Sequence, residues 1–112
     1  MIVTKVKDTS ILETPHKVDV RKLYDKDSAQ AIHIRLEAGE KLIPHITPVD
    51  VFFYVLEGTP EIMVGDKKQT VNADCLVESP KNIPHTISNN SDKTVRILVV
   101  KAPRPVTKTK LL

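Results

Sequence analysis

Apolar residues in this chain recur at every second position over short runs, and no helical stripe of useful length interrupts them. Gln30-Ala31-Ile32-His33-Ile34-Arg35-Leu36 shows the period most cleanly, with Ile32, Ile34 and Leu36 on one face. Lys17 to Arg21 alternates in the same way, and Val49 to Leu56 is apolar on both faces. Glu61-Ile62-Met63-Val64 and Lys68-Gln69-Thr70-Val71 flank Gly65-Asp66-Lys67 and predict a hairpin. Cys75 to Glu78, His85 to Asn89 and the β-branched run Thr94 to Lys101 complete the series. Pro80 and Pro84 cannot lie in a central strand, because proline lacks the ladder donor. Pro44 to Pro48 is expected to be an irregular bend. Turn residues roughly every 8–12 positions between short strands predict an all-β sandwich or barrel.

The composition agrees with one such unit. The 112 residues suffice for one domain with one core. The single cysteine, Cys75, excludes an internal disulfide or a cysteine-based zinc site, and is expected to be a small buried apolar residue. The longest apolar run, Val51 to Leu56, is far short of the roughly 20 residues of a membrane span. The N-terminal residues lack a signal peptide's apolar core, which places the chain in a reducing cytoplasm as an expectation. The net charge of +3 belongs to one end of the chain. Lys101, Arg104, Lys108 and Lys110 are four of the 17 bases, and without them 13 bases face 14 acids. A basic tail on a neutral body with four Phe and Tyr residues and no Trp argues against a nucleic-acid partner. We take residues 1–102 as a single domain and 103–112 as a basic tail, solvated and extended.

Two stretches carry the chemistry. The first is Gly39-x5-His45-x-Thr47-x3-Val51-x6-Gly58, and the second is Asp74-x5-Pro80-x-Asn82-x2-His85-x3-Asn89. Their spacing resembles the two motifs of the cupin superfamily, Gly-x5-His-x-His-x3-4-Glu-x6-Gly and Gly-x5-Pro-x-Gly-x2-His-x3-Asn. The resemblance runs from Gln30 to Lys101 and implies a double-stranded β-helix, or jelly-roll barrel. It also implies a metal held in the barrel by three histidines and one glutamate. Carried over by position, the first histidine is His45 and the third is His85. The second falls on Thr47 and the glutamate on Val51. The glycines of the second motif fall on Asp74 and Asn82; asparagine takes a left-handed turn more readily than most residues.

Imidazole binds Zn, Fe, Mn, Ni or Cu, so a divalent transition metal at His45 and His85 is one expectation. Threonine hydroxyl is a neutral, weak donor and valine offers none. Asp50 adjoins the missing carboxylate, but strand side chains alternate. If Val51 faces the lumen with Val49, Phe53 and Val55, then Asp50 faces away unless a bulge re-aims it. Val49, Val51, Phe53 and Ile87 are expected to form the pocket wall. Glu57 and Glu78 are expected at the surface, His33 solvated or interfacial, and His16 exposed in a loop.

Two functions follow from the resemblance. One is a metal-dependent enzyme of dioxygenase, isomerase or decarboxylase type acting on a small organic substrate. The other is a metal-free degenerate cupin that binds a small molecule through His45, Thr47 and His85, or serves as a scaffold. Phe52, Tyr54 and Leu56 point away from the lumen and need cover, either from a second copy in a homodimer or from the chain's own N-terminal strand.

Overall fold

The computed structural model describes residues 1–107 and 109–112; Lys108, one of the four bases at this end of the chain, lies outside the described residues. Among the described residues, a short 3-10 helix, Val6–Asp8, precedes ten strands. These are β1 Asp19–Lys26, β2 Ala29–Leu36, β3 His45–Ile46, β4 Val51–Glu57, β5 Glu61–Val64, β6 Lys67–Thr70, β7 Leu76–Ser79, β8 His85–Ser88, β9 Val95–Lys101 and β10 Lys110–Leu111. They form two antiparallel sheets of five, ordered β1-β2-β9-β4-β7 and β10-β3-β8-β5-β6. The chain crosses repeatedly between the sheets, which gives the expected jelly roll.

The alternation seen in the sequence becomes the inner face. In β4, Val51, Phe53 and Val55 are buried, while Phe52, Tyr54 and Leu56 are only partly so. In β9, Val95, Ile97 and Val99 point inward with the same parity. With Leu36 from β2, Ile62 from β5 and Ile87 from β8, they form one core between the sheets. Each such side chain, fully buried, contributes about 1.5–3 kcal/mol. The hairpin of β5 and β6 turns on Gly65-Asp66 alone, since Val64 pairs with Lys67.

The turns explain the two motifs. Gly58 has φ +84°, and a Cβ there would lie 2.5 Å from the Thr94 carbonyl oxygen. Only glycine satisfies both conditions. Asp74 and Asn82, where the family has glycine, also take positive φ (65° and 64°). Asn89 is fully buried, and its amide donates to the carbonyls of Leu36 and Lys93, tying β2 to the turn before β9.

Several expectations are corrected. His33 is buried, not solvated. Its face of β2 is overlain by the N-terminal segment, which the Arg21 guanidinium holds by donating to the carbonyls of Val6 and Thr9. His33 Nε2 accepts from Arg96 Nε at 3.0 Å. Cys75 is exposed, because it lies in the turn at Asp74 just ahead of β7. The bend from Pro44 to Pro48 contains β3. The segment taken as a solvated tail returns to the body, with Lys110 opposite Ile46 and Leu111 opposite His45. Among the described residues, no helix is long and apolar enough to cross a membrane.

Candidate functional site

His45 begins β3 directly after Pro44, and His85 begins β8 directly after Pro84. The two residues are antiparallel partners. Directly opposed side chains of this kind project to one face within contact distance. Their rings meet edge to face with centroids 4.4 Å apart, and the two Nε2 atoms are 3.1 Å apart. Phe53, projecting inward from the other sheet, meets His85 edge to face at 5.2 Å.

The hydrogen bonds fix the protons. His45 Nδ1 lies 2.8 Å from the Ile43 carbonyl, which can only accept. Neutral His45 therefore carries its proton on Nδ1 and presents a lone pair at Nε2. His85 must then donate from Nε2 to His45, leaving its Nδ1 to accept from the Ser79 hydroxyl at 2.6 Å. Thr47 Oγ1 is 3.3 Å from His85 Nε2 and shares that donor. The chain Ser79, His85, His45, Ile43 is thus complete within the protein. Burial first, then nearby His45 and Lys101, push His85 down to about 3. Burial likewise lowers His45, with His16 and Lys101 adding to it. Both rings are neutral at pH 7.

His45 and His85 edge a cavity of about 410 Å³. Val51 and Phe53 line it. Ile87 is buried in the core instead, and Val49 is not among the lining residues. Asp50 is turned outward, where its carboxylate accepts from the Lys81 N–H at 2.9 Å. The bulge that could have re-aimed it does not occur, so strand parity holds.

The structure brings in four groups that the sequence did not single out for the site. Ser79 reaches His85 from β7. His16 packs on His45 with centroids 5.1 Å apart, and its Nδ1 accepts from the Ile43 N–H at 2.8 Å. Lys101 and Thr14 also line the cavity. The inward parity of Val95, Ile97 and Val99 extends to Lys101 and was the available signal for it. Nothing local marked His16 or Thr14, because a loop carries them there.

Residues 32–101 match the family model described as the cupin domain. The chain belongs to the cupin family. No curated protein matches it in sequence. Among solved structures, a Thermus thermophilus protein is similar with TM-score 0.80 at 24% identity, covering 94% of this chain and 100% of that one. The polyketide cyclase RemF from Streptomyces resistomycificus has TM-score 0.84 at 21% identity, over 100% of this chain and 85% of that one. The DMSP lyase DddQ from Ruegeria pomeroyi has TM-score 0.77 at 18% identity, over 96% of this chain and 58% of that one. At these identities the likeness carries the fold.

Cupins often hold a metal at the positions of His45, Thr47, Val51 and His85. The Nε2 separation of 3.1 Å is close to that of two ligands on one tetrahedral ion. The third imidazole at the cavity, His16, has its Nδ1 lone pair taken by the Ile43 N–H, and the rest of the family's donor set is not there. Thr47 is a neutral hydroxyl, Val51 has no donor, and Asp50 faces away. Among the described residues no group of three or more His, Cys, Asp or Glu can hold a metal ion. The remaining cationic side chain in the cavity, Lys101, opposes a second cation. This cupin's residues do not fit a resident divalent metal.

Proposed function

We propose that this cupin binds a small, largely apolar organic molecule in its lumen without a metal, using the cavity beside His45 and His85. The observation that carries this is the combination of a cavity of about 410 Å³ walled mainly by aliphatic side chains with a histidine pair already satisfied by protein partners. Pockets of this size and lining suit small ligands. A ligand that binds the native state alone raises the melting temperature by mass action. The test uses protein stripped with EDTA and octan-1-ol as a neutral probe, followed by thermal melting and calorimetry. Octan-1-ol is expected to bind one per chain, and Ile32→Phe, which fills the lining, is expected to abolish binding. Metal-dependent melting with Zn, Mn, Fe(II), Ni or Cu at one ion per chain, lost in His45→Ala and His85→Ala, would overturn it. We also propose a homodimer through the outer face of Phe52, Tyr54 and Leu56, which sizing with light scattering checks: a monomer at micromolar concentration refutes it.

A further inference from the structure

The polar groups that line the cavity without a protein partner can all donate a hydrogen bond, and the ammonium of Lys101 can only donate. Lys101 takes part in no side-chain ion pair or hydrogen bond among the described residues. No aspartate or glutamate lines the cavity with it. Burial, then the charge of Lys22, hold Lys101 below the ordinary lysine value. It lines the same cavity as His16, His45 and His85, and its charge helps hold all three rings below the ordinary histidine value.

Two further groups point the same way. His16 Nδ1 accepts from the Ile43 N–H, so the neutral ring carries its proton on Nε2. The Thr14 hydroxyl is buried and has no hydrogen-bond partner. Both residues line the cavity with Lys101. An unpaired, partly buried cation and an orphaned buried hydroxyl are each unfavourable. One acceptor group with negative charge would offset both.

The strand register shows where the counter-charge went. Lys101 on β9 pairs directly with Val51 on β4. Val51 is the position at which the family has its glutamate. A carboxylate there would face Lys101 across the ladder; valine leaves the ammonium free.

From these donors we infer that the ligand of this cavity is a monocarboxylate with an apolar body, its carboxylate seated on Lys101 with Thr14 and His16 as neighbouring donors, and its hydrocarbon against Val20, Ile32 and Phe53. The assignment rests on the metal-free pocket proposed above. It goes further in naming the charge and the functional group that the pocket selects.

The test compares three probes of equal length at pH 7.5: octanoate, octan-1-ol and octylammonium, titrated calorimetrically into EDTA-stripped protein. A charge-assisted hydrogen bond in a desolvated site is worth about ten-fold or more in affinity. Octanoate is expected to bind about ten-fold or more tighter than octan-1-ol, and octylammonium not to bind. Lys101→Met keeps the aliphatic stem and is expected to remove the octanoate preference while leaving octan-1-ol affinity within two-fold, which also shows that the variant is folded. Thr14→Val is expected to weaken octanoate by a smaller factor and leave octan-1-ol unchanged. Equal affinity for octanoate and octan-1-ol overturns the carboxylate assignment and leaves the pocket standing. An octanoate preference that survives in Lys101→Met overturns the role of Lys101. Failure of all three probes to bind overturns both the assignment and the pocket.

Discussion

Acidification between pH 7 and pH 5 should destabilise this cupin through His85. The ring is 2% exposed and is held near pKa 3 by burial, by His45 and by Lys101, in that order. In the unfolded chain a histidine titrates near 6.5. Between those two values the unfolded state binds a proton that the native state refuses. Stability therefore rises with pH across this window: it is fully present above about 6.5 and is lost as pH falls toward 3. For one group with these values, linkage gives a loss of about 2 kcal/mol on going from pH 7 to pH 5. His16, His33 and His45 are lowered by burial and act in the same direction. The carboxylates of Asp19, Asp25 and Glu37 are also lowered. Their contribution is lost only near and below an ordinary carboxylate pKa, beneath the range from pH 7 to pH 5.

Urea titrations at pH 7, 6 and 5, followed by far-UV circular dichroism, measure the effect. In a domain of this size 2 kcal/mol corresponds to roughly 10 °C in Tm. His85→Gln removes the titrating group while keeping a polar side chain. Its stability at pH 7 falls because the bonds to Ser79 and His45 are lost, but its decline from pH 7 to pH 5 should be smaller than wild type by about 2 kcal/mol. Equal declines in the two proteins refute the reasoning. So does a His85 imidazole resonance that titrates near 6.5 in the folded state.

Two other predictions follow from the fold. Gly58→Ala places a Cβ against the Thr94 carbonyl at a positive φ and should cost about 1–3 kcal/mol or more, read as a lower urea midpoint at unchanged m-value. Phe53→Ala removes a ring that packs both on the core and on His85, and should cost about 3–5 kcal/mol by chemical denaturation.

The fold was legible because strand alternation is a local code. The parity read for Val51, Phe53 and Val55 is the parity observed, and it correctly turned Asp50 away from the lumen. The positions of Asp74 and Asn82 were legible for a related reason: a left-handed turn leaves a trace in which residues tolerate it. What escaped came from long-range contacts. His33 reads as half of an exposed face until the N-terminal segment covers it. His16 reaches the site because the Ile43 N–H, 27 residues away, donates to its ring. The strand β10 has only two residues and no alternation to show, so its place beside His45 depends on the partner strand. Lys101 lies between these cases. Its inward parity was present in the sequence, but a lysine closing an apolar strand is ordinarily one that reaches solvent.

The pair Val51 and Lys101 concentrates what separates this chain from the family pattern, and one substitution tests it. Val51→Glu places a carboxylate at the position of the family's metal-binding glutamate, directly opposite Lys101 on the neighbouring strand. If the lumen were a metal site lacking one ligand, the variant would gain a third ligand beside His45 and His85 and should bind Zn with a stoichiometric rise in Tm. The geometry favours the other outcome. The new carboxylate meets the partly buried Lys101 ammonium first, and a directly opposed pair of opposite charge on one sheet face is favourable. Lys101 then has its counter-charge, and the cavity loses its reason to take one from a ligand. Octanoate affinity should fall about ten-fold or more in Val51→Glu, octan-1-ol affinity should change by less than that, and added Zn should leave Tm unmoved. A Zn-dependent gain in stability with octanoate binding intact would show that Lys101 does not hold the carboxylate, and that the missing ligand alone keeps metal out of this cupin.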